Sequence, residues 1–411
     1  MPTLPELKTR LLPMGALPHE DARMITGPQN IPFAQSSSSE QVPPPYHFPG
    51  VTVNAFVWPV NIDRVQTYCD QTFNLGTEEE RGFVYRPAPF WPYATLLFLE
   101  YPIMISSNPL PQDIGEVPYS DRGIISQTEV FVALPVIRYG TNPVTMVTET
   151  SLEWALPFIV VGNPMSSVCG REMLGLGKLL ADIETGVGWY PNSFEGSIKL
   201  PGWPNLEPGT QMRDMEFVHV RTNPVLPTFR TSQSPKQSLS TLFESREASF
   251  AIEEAASLSN FVADASLGMI PTNMRTVGLK QYRDAVHTDR AVYQSIVTCR
   301  ARYSNLDKFK MYDEEDVQIE FSDRGSFNEI LQVFLDVGPT PSNESFRVKP
   351  IAGYRFEADI DYDQMRVIHS FPIDREDGLP PIPAQSDLDA NWARSIKGFF
   401  GPLRHPMRNA E

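Results

Sequence analysis

One lysine stands out in this sequence because it is the only charged residue in the apolar run from Met173 to Ala181. Lys178 follows Leu176 and Gly177 and is followed by two more leucines. Burial lowers the pKa of a lysine by up to ~3–5 units, and a neutral amine attacks carbonyl carbons to form imines. A lysine beside an apolar run also commonly extends its amine to solvent. The residues of this run alone are compatible with both interpretations.

A carboxylate, Glu129, is the second candidate for chemistry. It lies in a strand-like segment at 123–138. Side chains alternate between the two faces of a strand, so Gln127, Glu129 and Phe131 share one face. A carboxylate that faces a nucleophilic lysine transfers protons during imine chemistry. The alternation itself does not decide whether this face points into the protein, where Glu129 could be catalytic, or to solvent.

Local signals around Lys178 predict how it is positioned. Asn163 followed by Pro164 is typical of a helix start, because the asparagine side chain caps free N–H groups and proline tolerates the first helical position. We expect a short helix that runs to about Leu174. Gly175 and Gly177 then end the helix. Lys178 is therefore expected at the start of an extended apolar strand.

Most of the remaining pattern predicts β-structure, with segments rich in β-branched and aromatic residues between Pro, Gly or Asn. A helix is expected after Asn61, since Val65, Cys69 and Phe73 recur at helical spacing. The strand-like segments are Val51–Val60, Ala94–Ile105, Gly123–Arg138, Trp154–Val161, Ser193–Leu200, Gln211–Val220, Arg275–Arg283, Ala291–Tyr303, Val317–Phe321 and Gly353–Ser370.

Composition divides the chain into three parts. Residues 1–49 are rich in proline and serine and predict an arm that lacks its own core. Residues 50–373 predict one large domain with a helical insertion around 205–270, centred on the periodic stretch 234–268. Residues 374–411 predict a Pro-rich linker and a helical tail that docks on its own chain or on a second subunit. We therefore expect a homo-oligomer.

Charge and composition exclude several function classes. The formal net charge is −16 without any Lys/Arg cluster, so we expect no nucleic-acid partner. No apolar run approaches the ~18 residues that span a bilayer, so we expect no membrane association. The three cysteines and six histidines are scattered, which predicts no metal site, no cofactor and a reducing, cytoplasmic compartment.

Two motifs resemble those of acetoacetate decarboxylases. The string Gly170-Arg-Glu followed by Lys178-Leu-Leu is similar to the family's Gly-Arg-Glu and Pro-Lys-Lys-Leu segment, with Lys178 at the Schiff-base lysine. The string Thr128-Glu129 with Ala133-Leu-Pro-Val is similar to a family strand and puts Glu129 at its active-site glutamate. A weaker match around Glu100 implies a second carboxylate that binds substrate.

The resemblance implies a fold and a reaction class. The fold would be mainly antiparallel β with surrounding helices, a cone-shaped β-barrel with an interior active site. The reaction would be that of a lyase acting on a keto acid or another small carbonyl substrate through a lysine imine, by decarboxylation or by aldol, retro-aldol or dehydration steps. Enzymes of secondary metabolism are the expected setting.

The sequence also departs from the family pattern. Leu179 replaces the second lysine and Gly177 replaces the proline. The segment before the first strand, 47–54, lacks the arginine that meets the substrate carboxylate. Arg138, Arg171 and Arg283 are candidates to replace it, although Arg171 is expected in a structural ion pair. Together with the insertions, these departures favour a substrate larger than acetoacetate.

Two alternatives remain at this stage. The same fold could act as a non-covalent acid–base cyclase or hydrolase of polyketide type, with Glu129 as the base. It could also bind a small molecule without catalysis, with Lys178 as a buried charge paired to a carboxylate.

Overall fold

The computed structural model describes residues 42–89, 91–106, 125–141, 148–186, 193–205, 207–222, 273–285, 288–312, 316–322 and 345–371. The helices are α1 (Ile62–Thr72), α2 (Glu78–Arg81) and α3 (Pro164–Glu172). The strands are β1 (Tyr46–Pro59), β2 (Phe83–Pro87), β3 (Tyr93–Ser106), β4 (Ile125–Thr141), β5 (Thr148–Val161), β6 (Leu179–Leu180), β7 (Asp182–Gly186), β8 (Glu195–Gly202), β9 (Arg213–Thr222), β10 (Asn273–Arg283), β11 (Ala291–Tyr312), β12 (Val317–Ser322), β13 (Ser345–Val348), β14 (Ala352–Tyr362) and β15 (Arg366–Ser370).

The larger sheet closes on itself. Its hydrogen-bonded neighbours run β4, β3, β1, β14, β11, β10 and β5, and β5 pairs again with β4. The pairs within this ring are antiparallel except β5 with β10, which is parallel over a short register. Strands β2, β6 and β15 attach to β4, β5 and β11. The ring brings seven strands around one interior.

The alternation of side chains produces two apolar clusters, one on each face of the ring strands. One cluster includes Val53, Leu99 and Phe131 and draws buried residues from all seven ring strands, as the interior of a closed ring does. The other cluster joins Phe98 of the ring to Phe217 of a second sheet, whose strand order is β13, β12, β9, β8, β7. Both faces of strands such as β3 and β4 are therefore covered.

The prediction of a mainly antiparallel β fold is confirmed for the described residues, in which the helices are few. The helix after Asn61 is also present, with the Asn61 side chain accepting hydrogen bonds from the N–H groups of Asp63 and Arg64. The described helices include none that is both long and apolar enough to cross a membrane.

Two strand boundaries differ from the sequence predictions. Strand β1 begins at Tyr46 rather than at the predicted Val51. A bulge between Phe48 and Val51, with Gly50 at φ +67°, carries the strand through a Pro-Gly pair that usually ends one. The single segment 353–370 is two strands, β14 and β15. Strand β9 matches the predicted strand-like segment Gln211–Val220, although it falls within the range 205–270 given to the helical insertion.

Several predictions lie outside the described residues. They concern the first 41 residues of the arm, the periodic helix at 234–268 and the tail at 374–411.

Candidate active site

The helix before Lys178 starts where the sequence predicts. The Asn163 side chain accepts hydrogen bonds from the backbone N–H groups of Met165 (2.9 Å) and Ser166 (3.3 Å), and Pro164 occupies the first turn. Helix α3 ends at Glu172, two residues before the predicted end. These contacts fix one end of the segment that carries the lysine.

A tight turn connects α3 to Lys178. Gly175 has φ +65°, a conformation that side-chain-bearing residues disfavour. The N–H of Leu176 donates to the Gly170 carbonyl (2.9 Å), and the N–H of Lys178 donates to the Leu176 carbonyl (2.7 Å). The chain thus folds back against its own helix, and Lys178 lies alongside α3.

Lys178 is buried, with 6% of its surface exposed. Its two following leucines do not bury it, since Leu179 and Leu180 are 41% and 49% exposed and β6 contains only these two residues. The extended apolar strand that the sequence predicts after Lys178 therefore does not explain why Lys178 is buried. The lysine stem packs instead on Gly170, where a Cβ atom would lie 2.9 Å from Cγ and 2.8 Å from Cε of Lys178.

This contact predicts a strong effect of Gly170→Ala. Alanine favours the helix, so α3 should keep its structure. The added methyl group displaces the Lys178 stem, and misplacement of a reacting group by about 1 Å costs roughly 10²-fold in rate. We expect that fall in the rate of imine trapping at Lys178, measured by borohydride reduction and peptide mass spectrometry.

Gly177→Ala is the matched control, because a Cβ atom there meets no atom within 4 Å. It should trap at the wild-type rate. Equal rates for Gly170→Ala and the wild type would contradict the role of Gly170.

The structure brings Glu129 to Lys178. The Lys178 ammonium Nζ donates a hydrogen bond to Glu129 Oε2, and Ser166 Oγ lies 3.5 Å from the same Nζ. Glu129 is 6% exposed, so its strand face is the inward one and the solvated alternative does not hold. The Tyr101 hydroxyl donates to the other carboxylate oxygen at 3.4 Å. Two residues 49 positions apart in the sequence form one buried ion pair.

A cavity adjoins this pair. Its space not filled by atoms amounts to about 630 Å³, part of it open to solvent. The walls come from β1, β3, β4, β5, β10, β11 and β14 together with α3 and its turn. The lining residues are Tyr46, Phe48, Tyr101, Met104, Gln127, Glu129, Phe131, Leu156, Ser166, Cys169, Gly170, Leu174, Leu176, Lys178, Met274, Thr276, Ala301, Tyr303, Ile360 and Tyr362.

The cavity tyrosines are neutral hydrogen-bonding groups. Burial, followed by the Glu129 charge, raises the pKa of Tyr101 well above its ordinary value. The same two causes raise the pKa of Tyr303. Burial also raises the pKa of Tyr362, whose hydroxyl lies 2.8 Å from that of Thr276. These phenols can donate to a bound ligand without adding negative charge to the cavity.

Glu100, the third predicted site residue, is not brought to the cavity. In the pairing of β3 with β4, Glu100 is opposite Thr128, whereas Leu99 is opposite Glu129. Neighbouring residues on a strand point to opposite faces, so Glu100 points away from the Lys178 face. Burial and, less strongly, the charge of Glu100 raise the pKa of Tyr312. Tyr312 packs on Phe56, which belongs to the apolar cluster shared with the second sheet.

The three candidate arginines do not line the cavity either. Arg138 Nε donates to Glu153 at 3.0 Å, in a cluster that also contains the Tyr85 hydroxyl. Arg171 Nη1 donates to the Lys178 carbonyl at 3.3 Å, and within the described part of the chain it forms no ion pair of the kind expected. Arg283 donates to the Thr288 carbonyl. The cavity lining given by the described residues therefore contains one cation, Lys178.

Sequence reasoning missed the polar residues Gln127, Tyr101, Tyr303 and Tyr362. Gln127 shares a strand face with Glu129, so the alternation along that strand was a signal that could have found it. The tyrosines belong to β3, β11 and β14, and the sequence carries no signal that those strands meet at one cavity. The described residues also contain no group of three or more His, Cys, Asp or Glu side chains that could hold a metal ion.

Comparisons with known proteins find similarity in the fold but not in the sequence. No family model and no curated protein matches the sequence. Solved structures do match. The acetoacetate decarboxylase of Legionella pneumophila is 10% identical, with 82% of this chain and 99% of that chain covered and a TM-score of 0.46.

Two further structures are similar at the same level. A second acetoacetate decarboxylase is 11% identical, with 80% of this chain and 91% of that chain covered and a TM-score of 0.42. The enduracididine biosynthesis enzyme MppR, complexed with the condensation product of pyruvate and imidazole 4-carboxaldehyde, is 12% identical, with 81% and 92% covered and a TM-score of 0.44. Acetoacetate decarboxylases are thus among the structures to which this chain is similar.

Proposed function

We propose that this protein is a lyase that forms a Schiff base between Lys178 and a carbonyl substrate. The observation that carries the proposal is the buried pair of Lys178 with Glu129 at the wall of a cavity. A nucleophilic lysine needs a nearby acceptor for its proton and a site that excludes water, and this pair supplies the first while burial supplies the second.

The steps balance with these two residues alone. Glu129 accepts a proton from the Lys178 ammonium, and the neutral amine adds to the carbonyl carbon. One proton then passes from the added nitrogen to the former carbonyl oxygen, which gives a carbinolamine. Protonated Glu129 returns its proton to this hydroxyl, which leaves as water, and the product is a protonated imine. This cation withdraws electrons from the bond next to the former carbonyl carbon. Loss of carbon dioxide, cleavage of a carbon–carbon bond or loss of water can follow.

The experiment is chemical trapping of the imine. The protein is incubated with neutral ketones and aldehydes and with keto acids, then reduced with borohydride and analysed by peptide mass spectrometry. We expect the added mass on Lys178 and on no other lysine at limiting substrate. Turnover of a substrate that leaves Lys178 unmodified after reduction would overturn the mechanism.

A second candidate function keeps the site but not the covalent bond. It is favoured by one observation: the Lys178 ammonium already donates hydrogen bonds to Glu129 and to Ser166. In that case Lys178 would orient Glu129, which would act as a general base on a bound carbonyl compound. Retained turnover after replacement of Lys178 distinguishes this function from the first.

A further inference from the structure

Gln127 carries an unused hydrogen-bond acceptor at the cavity. The residue is 8% exposed and lines the cavity beside Glu129. Among the residues that the structure describes, no donor reaches its side-chain oxygen Oε1. A buried acceptor without a partner destabilises the folded protein, and such groups are rare in native structures. A ligand or an ordered water that donates to Oε1 would remove this cost.

The position of Gln127 relative to Lys178 restricts what could satisfy it. Gln127 precedes Glu129 by two residues on the same face of β4, which separates the two side chains by roughly 6.5 Å along the strand. Glu129 contacts the Lys178 amine. A ligand whose carbonyl reacts with Lys178 therefore reaches Gln127 only with an atom several bonds away from that carbonyl.

The charges of the cavity restrict the ligand further. Its described lining contains one cation and one carboxylate, and these are already paired. The cysteine and tyrosines there add no charge, because burial raises the pKa of Cys169 as it does those of the tyrosines. A carboxylate on the ligand would enter without a cation of its own, and burial of an unpaired anion is strongly unfavourable.

We propose that the cavity selects an uncharged carbonyl compound that carries a hydrogen-bond donor, such as a hydroxyl group, several bonds from its carbonyl, and that this donor binds Gln127 Oε1. The proposal deepens the proposed function, because the position of the carbonyl rests on imine formation at Lys178. Keto acids would be discriminated against by the lack of a free cation.

Three aldehydes of matched shape test this specificity. The probes are 3-hydroxybenzaldehyde, benzaldehyde and 3-carboxybenzaldehyde, and the readout is the rate of borohydride trapping at Lys178 as a function of probe concentration. One additional hydrogen bond is worth roughly three- to tenfold in affinity, so the hydroxy probe should be trapped at correspondingly lower concentration than benzaldehyde. The carboxy probe should require a higher concentration than benzaldehyde.

Gln127→Met tests whether Gln127 causes the preference. Methionine has similar length and no amide, so the ratio between the hydroxy probe and benzaldehyde should fall to about one. The ratio is measured within one variant, so a general loss of folded protein does not change it. Gln281→Met, in the exposed part of β10, is the matched control and should keep the wild-type ratio. A ratio unchanged in Gln127→Met, or preferred trapping of the carboxy probe, would overturn the proposal.

Binding of molecules without a carbonyl separates this proposal from the imine mechanism. Calorimetric titration with 3-methylphenol, toluene and 3-methylbenzoate should give the same order of affinity, with the preference for the phenol lost in Gln127→Met. This order with no trapping at Lys178 would overturn the imine and leave the Gln127 site supported. Trapping at Lys178 without this order would support the imine and overturn the Gln127 site.

Discussion

Lys178→Arg is expected to abolish borohydride trapping and to lower turnover by at least ~10³-fold, the scale on which removal of a covalent nucleophile acts. Arginine keeps the positive charge beside Glu129, so the ion pair can persist. Its guanidinium stays protonated at all ordinary pH values and cannot form the imine. Lys178→Ala removes both the amine and the positive charge. Comparison of the two variants therefore separates the loss of imine formation from the loss of the charge beside Glu129. The measurement is kcat with a substrate identified by trapping.

Lys199→Met serves as the control for these variants. Lys199 is a lysine of the second sheet, paired with Glu184 on the surface, and its replacement should leave kcat unchanged. Lys178→Arg that keeps more than a tenth of wild-type turnover would refute the covalent mechanism. It would favour the acid–base function instead.

Glu129→Gln is expected to lower kcat by about 10²–10⁴-fold, as the loss of a general acid–base group does. The amide retains the size of the carboxylate and can still accept a hydrogen bond from Lys178, but it cannot take up the proton. Trapping at Lys178 should survive over long incubation, because an amine that is deprotonated by solvent still adds to an aldehyde. Slow turnover with intact trapping therefore identifies Glu129 as the proton-transfer group.

Glu153→Gln is the matched control, since Glu153 is also a buried carboxylate paired with a cation, Arg138. It lies outside the cavity. We expect this variant to lose about 3 kcal/mol of stability in denaturant unfolding, the cost of breaking a buried pair, while kcat per folded molecule is unchanged. If both glutamine variants lost kcat to the same extent, the effect of Glu129→Gln would come from a less stable fold and not from the loss of proton transfer.

Much of the local structure could be predicted from the sequence. The helix start at Asn163 was predicted from its capping side chain, the helix after Asn61 from apolar residues at helical spacing, and most strand segments from β-branched and aromatic residues. The errors fall where tertiary contacts override local signals. The Pro49-Gly50 pair was read as a strand boundary, but a bulge and pairing on both sides carry β1 through it.

The candidate site shows the same division. Lys178 was chosen for its apolar neighbours, yet Leu179 and Leu180 are exposed and the burial comes from Gly170 and the cavity wall. Glu100 was chosen from a short motif, and the register of β3 against β4 turns it to the other face. A register change of one residue reverses every side chain of a strand, and no local pattern specifies that register.

The sequence by itself determined the β-rich character of the chain and the capped helix before Lys178, and it singled out Lys178 and Glu129 as candidates for chemistry, because each of these inferences depends on residues close together in the chain. Only the tertiary structure decided that these two side chains meet, that Gln127 and the tyrosines face the same cavity, and that no described arginine enters it. Those facts depend on which strands pair and on which face is enclosed. The free energy that selects them comes from burial over the whole ring of strands, which no single segment contains.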